Sequence, residues 1–200
     1  MLTRTHKIGL MCGTFDPPHN GHLILAQTAL SQLELDEILF LPVGDPTHKT
    51  TGTPAAHRLK MTRLAVADNS KFSVSDIDTV RPEPHYTATL LPLIHQTFPQ
   101  AQYWLIIGGD SLQTFPTWHQ PNEILELCRL AVLPRSGFPV KLKDVSSKVP
   151  KILKNCDELH GPSIQLSSTW LRNQLSTQST VRYLVPPSVV DYVTKNELYG

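Results

Sequence analysis

The chain reads as an α/β protein, a Rossmann-like doubly wound parallel sheet with a small helical C-terminal portion. Three observations predict that class. Apolar runs of strand length at residues 8–12, 37–43, 103–107 and 130–133 alternate with segments of helical length, the order that builds a parallel sheet with helical crossovers. The run at 103–107 is continuously apolar, as strands covered on both faces are. Finally, 200 residues with 40% hydrophobic and 18% charged side chains suit one ordered core. The expected organisation is a single domain over 1–200, its core spanning about 1–140 and a strand-and-helix portion about 141–200.

The elements follow in order. The first strand, Ile8-Gly9-Leu10-Met11-Cys12, hands over through a loop to a helix covering residues 23–30. The second strand, 37–43, runs into residues 44–53, a stretch full of turn formers. A helix then begins near Pro54, an allowed first helical residue, with Thr53 as its cap. Leu59, Met61, Leu64, Ala65 and Ala67 in it keep roughly helical spacing. Residues 72–77 alternate like a half-exposed strand, 87–98 read as a helix, and 103–107 and 130–133 as buried strands. After Pro139 the pattern weakens: 145–153 reads as a helix, 163–166 as a short strand and 168–175 as a helix. A closing helix over 187–197 carries Val189, Val190, Tyr192 and Val193 on its apolar side.

Composition excludes several classes. Net charge is +1 and no basic stretch is long enough to argue for nucleic acid. No apolar run approaches the roughly 20 residues of a membrane-spanning helix. Met1 to Lys7 lead straight into the first strand without the apolar region of a signal peptide. Cys12, Cys128 and Cys156 form neither a CxxC nor a His-paired metal spacing, and an odd number argues against a secreted disulfide framework. Buried free thiols, a cytoplasmic location and no dedicated metal site are therefore expected.

The most informative segment is Gly13-Thr14-Phe15-Asp16-Pro17-Pro18-His19-Asn20-Gly21-His22. It places two histidines three positions apart where a strand gives way to a helix, the place where open α/β sheets bind ligands. A helix N-terminus offers free N–H groups and the positive end of its dipole, and imidazoles add donors for phosphate oxygens. The segment is neither a Walker A loop nor a GxGxxG dinucleotide turn. A second anchor is Ser167-Ser168-Thr169-Trp170-Leu171-Arg172. Its hydroxyls read most simply as N-caps, yet an arginine one turn into the helix shares a face with the first turn. Hydroxyls, amides and a guanidinium then converge as a triphosphate cradle. A third is Ile106-Ile107-Gly108-Gly109-Asp110-Ser111-Leu112, followed by Trp118. Its simple reading is a strand, a glycine turn and a cap. Its functional reading sets Gly108 against a flat ligand face, Asp110 on a ribose hydroxyl or an adjacent amide, and Trp118 on an aromatic ring. The whole reading requires the first strand-to-helix junction and the serine-rich one to share one anion-holding cleft.

GTFDPPHNGH resembles the signature of the HxGH nucleotidyltransferase superfamily, and the Phe-Asp-Pro before the first histidine resembles the bacterial nicotinate mononucleotide adenylyltransferases in particular. The serine-rich segment is similar to the family's Ser-Ser/Thr-x-x-Arg motif, and Gly108 to Trp118 to its Gly-x-Asp-x-Leu…Trp block. Thr47-His48-Lys49 resembles the family's Pro-Pro-His-Lys loop, and Tyr86-Thr87-Ala88-Thr89-Leu90 its Ser-Tyr-Thr-x-x-Thr block. Cys12, Thr47 and His85 depart from the family's glycine, proline and serine. His57 to Met61 and the ending Tyr183 to Tyr199 match as well, the former read as structural.

The resemblance implies transfer of an adenylyl group from ATP to nicotinate mononucleotide, giving deamido-NAD and pyrophosphate. It implies His19, His22, Lys49 and Arg172 as catalytic residues. Gly13, Thr14, Phe15, Gly21, His22, Gly108, Asp110, Ser167, Ser168, Thr169 and Arg172 would bind ATP. Asp16, His48, Lys49, Tyr86, Thr87, Trp118 and Arg135 would bind the mononucleotide. Mg²⁺ would arrive with ATP, since hard cations prefer phosphate oxygens and water. The amide mononucleotide as main acceptor, another HxGH nucleotidyltransferase activity and a non-catalytic nucleotide-binding regulator stay open, as does homo-oligomerisation.

Overall fold

Burial on both faces decides where the strands run. The computed structural model describes residues 5–44, 52–135 and 137–200. Strands β1 (Lys7–Gly13), β2 (Glu37–Pro42), β3 (Phe72–Val74), β4 (Gln102–Gly108), β5 (Arg129–Leu133) and β6 (Cys156–Glu158) form one sheet in the order β3-β2-β1-β4-β5-β6. The pairs β1–β4, β4–β5 and β5–β6 are parallel, with Lys7 opposite Gln102, Trp104 opposite Arg129 and Leu130 opposite Cys156. Ile8, Leu10, Ile38, Phe40, Leu41, Leu105, Leu130 and Val132 are wholly buried, which is why these runs lack polar alternation. The strand order reverses at β1 and β4, and in such sheets ligands bind beyond the carboxyl ends of the strands.

The helices are α1 (Asn20–Gln32), α2 (Ala55–Val66), α3 (Ile77–Val80), α4 (Thr87–Thr97), α5 (Gly109–Thr114), α6 (Pro121–Leu127), α7 (Leu142–Ser146), α8 (Ser168–Ser176) and α9 (Pro187–Lys195). The chain weaves through two compact units. The first takes the chain up to Met11 with Leu25–Leu39 and Tyr86–Ile164; the second takes Cys12–Ile24, Phe40–His85 and Gln165–Gly200. Among the described residues, no helix is long and apolar enough to cross a membrane.

Several boundaries differ from the sequence expectation. The strand expected over 72–77 stops at Val74, because the Ser75 hydroxyl accepts from the Ile77 N–H at 3.2 Å and turns the chain into α3. Thr53 is not the cap of α2: Pro54 holds that position, and the buried Thr53 turns its carbonyl to Arg58 Nε at 3.1 Å. The helix expected over 145–153 is broken into α7 and a 3₁₀ turn at Pro150–Leu153, since a proline cannot donate inside a helix. Residues 163–166 are not a strand, whereas the unforeseen β6 is. The polar sequence of β6 hid it. Burial disfavours the Asp157 charge, but bonds from Arg129 (Nε and Nη2, both 2.8 Å) and Trp104 Nε1 (2.9 Å) outweigh it and hold the carboxyl below its usual range. Helix α9 buries Val189 and Val193 and ends at Lys195, two residues before a left-handed Glu197. None of the three cysteines is in a disulfide among the described residues, and only Cys128 is buried; burial pushes its thiol up to about 12. Cys12 and Cys156 are part-exposed, which corrects the expectation of buried thiols at all but Cys128.

The second unit is organised by Arg58, which is 1% exposed. Its Nη1 donates to the Thr14 carbonyl at 3.0 Å and the Val43 carbonyl at 2.6 Å, and its Nη2 to the Gly44 carbonyl. With the Nε bond to Thr53, one guanidinium gathers four main-chain acceptors from three loop ends. Replacing it strands those acceptors and forfeits charge-assisted bonds. Arg58→Met is expected to lower unfolding free energy by about 3–5 kcal/mol in urea titrations; a loss below ~1 kcal/mol would contradict this role.

Candidate functional site

At the carboxyl end of β1 in the second unit, Gly13 accepts from the Val43 N–H at 3.0 Å. Phe15 then takes a left-handed φ of 51°, which buries its ring against Phe40 and edge-on to His22, with centroids 5.7 and 5.1 Å apart. The carbonyl of His19 accepts the first turn of α1, from His22 at 2.9 Å and Leu23 at 3.4 Å, so His19 is the capping residue. Its own N–H donates to Nδ1 of His22 at 3.2 Å. This is the reach-back half of a capping box, with an imidazole where Glu or Gln usually stands. Since Nδ1 accepts, the neutral His22 ring carries its proton on Nε2. The two imidazoles stack at 3.7 Å with an 18° tilt. A Cβ on Gly21 would come within 3.0 Å of His19 Nδ1, so glycine there is what lets the buried His19 ring lie flat.

The serine-rich junction belongs to the same unit and meets this corner directly. Ser167 caps α8, its hydroxyl accepting from the Trp170 N–H at 3.2 Å. Ser168 donates its hydroxyl to the Pro17 carbonyl at 3.0 Å. Arg172 donates from Nη1 to the Asp16 carbonyl at 2.8 Å and from Nη2 to the Thr169 hydroxyl at 3.4 Å, and Nη1 lies 3.7 Å from the Asp16 carboxylate. The two junctions that the sequence reading required to share a site are therefore in direct contact. Asp16 is 2% exposed, and its Oδ1 accepts from the Tyr199 hydroxyl at 2.7 Å. Burial first, then the Asp16 carboxylate, hold the Tyr199 phenol well above its ordinary range, so it remains a donor. Donors gathered at two helix N-termini suit an anion.

The other expected residues fall in the first unit, at and beyond the carboxyl ends of β4 and β5. Arg135 Nη1 pairs with Asp110 Oδ2 at 3.2 Å. The space beside Gly108 holds the Asp110 carboxylate and the Arg135 side chain, and a Cβ on Gly109 would run into the Phe138 carbonyl. Asp110 Oδ1 is enclosed and has no hydrogen-bond partner among the described residues. Trp118 packs half-buried on Phe115, centroids 5.4 Å apart, and Tyr86, just before Thr87 opens α4, stacks on His119 at 4.4 Å and 24°. His48 and Lys49 lie outside the described residues. Sequence reasoning took Arg58 as structural, which it is, but gave no role to Tyr199 or His119. Neither sits in a pattern that separates it from a packing aromatic or a surface histidine.

Paired histidines on a strand-to-helix corner, met by an arginine from a second helix, mark the candidate site of an α/β protein built on a six-stranded sheet. Residues 10–174 match the family model described as cytidylyltransferase-like. The probable nicotinate-nucleotide adenylyltransferase of Synechococcus sp. (strain JA-3-3Ab) is 41% identical, over 96% of this chain and 94% of that protein. Its counterpart in Thermomicrobium roseum is 40% identical, over 96% and 91%. The fold is similar to that of Plasmodium falciparum nicotinic acid mononucleotide adenylyltransferase complexed with NaAD, with a TM-score of 0.80, 19% identity and 97% of both chains covered. The chain belongs to the cytidylyltransferase-like family, within its nicotinate-nucleotide adenylyltransferase branch.

The capping role of His22 separates its structural from its chemical contribution. His22→Gln keeps an acceptor at the reach-back position and is expected to stay within ~0.5 kcal/mol of the parent in urea unfolding. His22→Ala should lose about 0.5–2 kcal/mol. Equal stabilities of the two variants would show that the His19–His22 bond carries no weight.

Proposed function

We propose that this chain transfers the adenylyl group of ATP to nicotinate mononucleotide. A phosphate oxygen of the mononucleotide attacks the α-phosphorus of ATP, the bond to the β-phosphate oxygen breaks, and pyrophosphate leaves as deamido-NAD forms. The attacking phosphate is anionic near neutral pH, so no general base is needed. Alignment and charge neutralisation are the catalytic task. The single observation that carries this reading is the meeting of the Arg172 guanidinium with the turn that leads into His19 and His22. That meeting gathers cationic and neutral donors where two anions must be held together.

In this reading the Nε2 proton of His22 and the His19 ring stabilise charge on the α-phosphate as it becomes pentavalent. Arg172 and the α8 amides at Ser168 and Thr169 steady the departing β,γ-phosphates, and Lys49 neutralises the attacking phosphate. The turn through Gly13, Thr14, Phe15 and Gly21 brings backbone close to ATP. Enclosed Asp110 Oδ1 suits a ribose hydroxyl, with Arg135 orienting it. Tyr86, Thr87 and Trp118 supply aromatic and hydroxyl groups for the pyridine nucleotide, and His48 is assigned to the same substrate. Asp16 acts through Arg172 and not by touching the mononucleotide, since its carboxylate is enclosed. A divalent cation, which we take to be Mg²⁺, comes with ATP as part of the substrate: the donors at the corner are imidazole, hydroxyl, amide and guanidinium, which fit phosphate oxygens and not a hard cation. We place the reaction in the cytoplasm, on an odd number of cysteines with no disulfide among the described residues.

The test is pyrophosphate release from ATP with nicotinate mononucleotide or its amide as acceptor. Release with the acid exceeding release with the amide is the expected result; no release with either would overturn the assignment. Within the same assay His22→Ala should lose ~10²–10³ in kcat with a smaller change in ATP affinity. Turnover like that of the parent would remove His22 from the chemistry.

A further inference from the structure

We propose that Tyr199 is a positioning residue for the adenylyl transfer: its hydroxyl holds the Asp16 carboxylate so that Arg172 stays directed at phosphate. The proposal rests on the function argued above. Its first support is the contact itself, Tyr199 hydroxyl to Asp16 Oδ1 at 2.7 Å, with the same hydroxyl 3.8 Å from Met61 Sδ. Its second is the backbone. Tyr199 adopts φ 70° and Phe15, next to Asp16, φ 51°. Bulky residues rarely occupy that left-handed region, and such outliers gather where the surrounding structure demands a particular placement. Here the departure at Tyr199 accompanies its return from the end of α9 onto Asp16. Its third support is the spacing of the charges. A buried carboxylate needs donors, and Arg172 is the cation beside this one. Yet the guanidinium stands 3.7 Å from Oδ2 while making its 2.8 Å bond to the Asp16 carbonyl. The neutral Tyr199 donor satisfies part of the carboxylate's demand, and the guanidinium is not drawn into a forked ion pair. Tyr199 and Arg172 also line one cavity of about 450 Å³ with Thr53 and Asn173.

Without the hydroxyl, the enclosed carboxylate has Arg172, 3.7 Å from its Oδ2, as its remaining charge partner among the described residues. The guanidinium would close on Oδ2 and turn from the leaving phosphates. Tyr199→Phe, which keeps the ring and its packing, should therefore lower kcat/KM for ATP by on the order of 10-fold while the protein melts as a folded species. A packing role alone would lower the melting temperature and leave the kinetics of the folded protein unchanged. The deciding measurement is a double-mutant cycle with Arg172→Ala. In the Arg172→Ala background the Tyr199→Phe loss should shrink to less than ~2-fold, because the group it positions is gone. Equal losses in both backgrounds, or no loss in the parent, overturn the proposal. If Tyr199→Phe does not fold, Tyr199→Met, which also removes the donor and leaves the carboxylate, replaces it, and its loss must likewise shrink with Arg172→Ala. A parent enzyme that releases pyrophosphate with a mononucleotide but ignores Tyr199→Phe defeats this inference alone. A parent silent with both acceptors defeats the reaction and the positioning role together.

Discussion

A buried guanidinium shapes the histidine corner. Arg58 bonds the carbonyls of Thr14, Val43, Gly44 and Thr53, so the chain leaving β1, the chain leaving β2 and the chain entering α2 are tied to one point. No other side-chain chemistry would serve as well: five N–H donors in a rigid fork reach several acceptors at once, where a lysine offers a single point charge. These carbonyls belong to turns, and turn carbonyls have no ladder partners to satisfy them. Removing them from water demands a donor, and Arg58 supplies it from the first turn of α2.

With that frame in place, the corner is held by its own polar residues. His22 holds the start of α1 through Nδ1 and thereby presents a proton on Nε2. Ser167 caps α8, while Ser168 and Arg172 of the same first turns hold the carbonyls of Pro17 and Asp16. The simple reading of the serines as caps holds for Ser167, and the phosphate cradle we propose would use the same end of α8. A helix N-terminus that is capped and aimed at a neighbouring loop is already an anion site.

Much of this was legible in the chain because it depends on local order. The strands at β1, β2, β4 and β5 are short apolar runs covered on both faces, and the histidine motif sits on the strand-to-helix handover where its spacing has meaning. The misread stretches are those in which local pattern and tertiary demand diverge. The alternating run at 72–77 is cut by a serine that bonds the backbone two residues on. The strand β6 is written in Cys-Asp-Glu, and is a strand because it pairs with β5 and because Arg129 and Trp104 take up the Asp157 charge. A helix over 145–153 fails at Pro150 for want of an N–H.

By itself the sequence determined the α/β class, the position of the histidine corner and the identity of the donors that could hold phosphate, since residue type and spacing set those locally. Only the tertiary structure decided which distant residues meet: Arg172 with the turn at Asp16, Tyr199 with the carboxylate of Asp16, Arg58 with four separate carbonyls. The physical reason is that a buried polar group must find its partner wherever the fold brings one. That partner can stand more than a hundred residues away, with no periodicity to announce it.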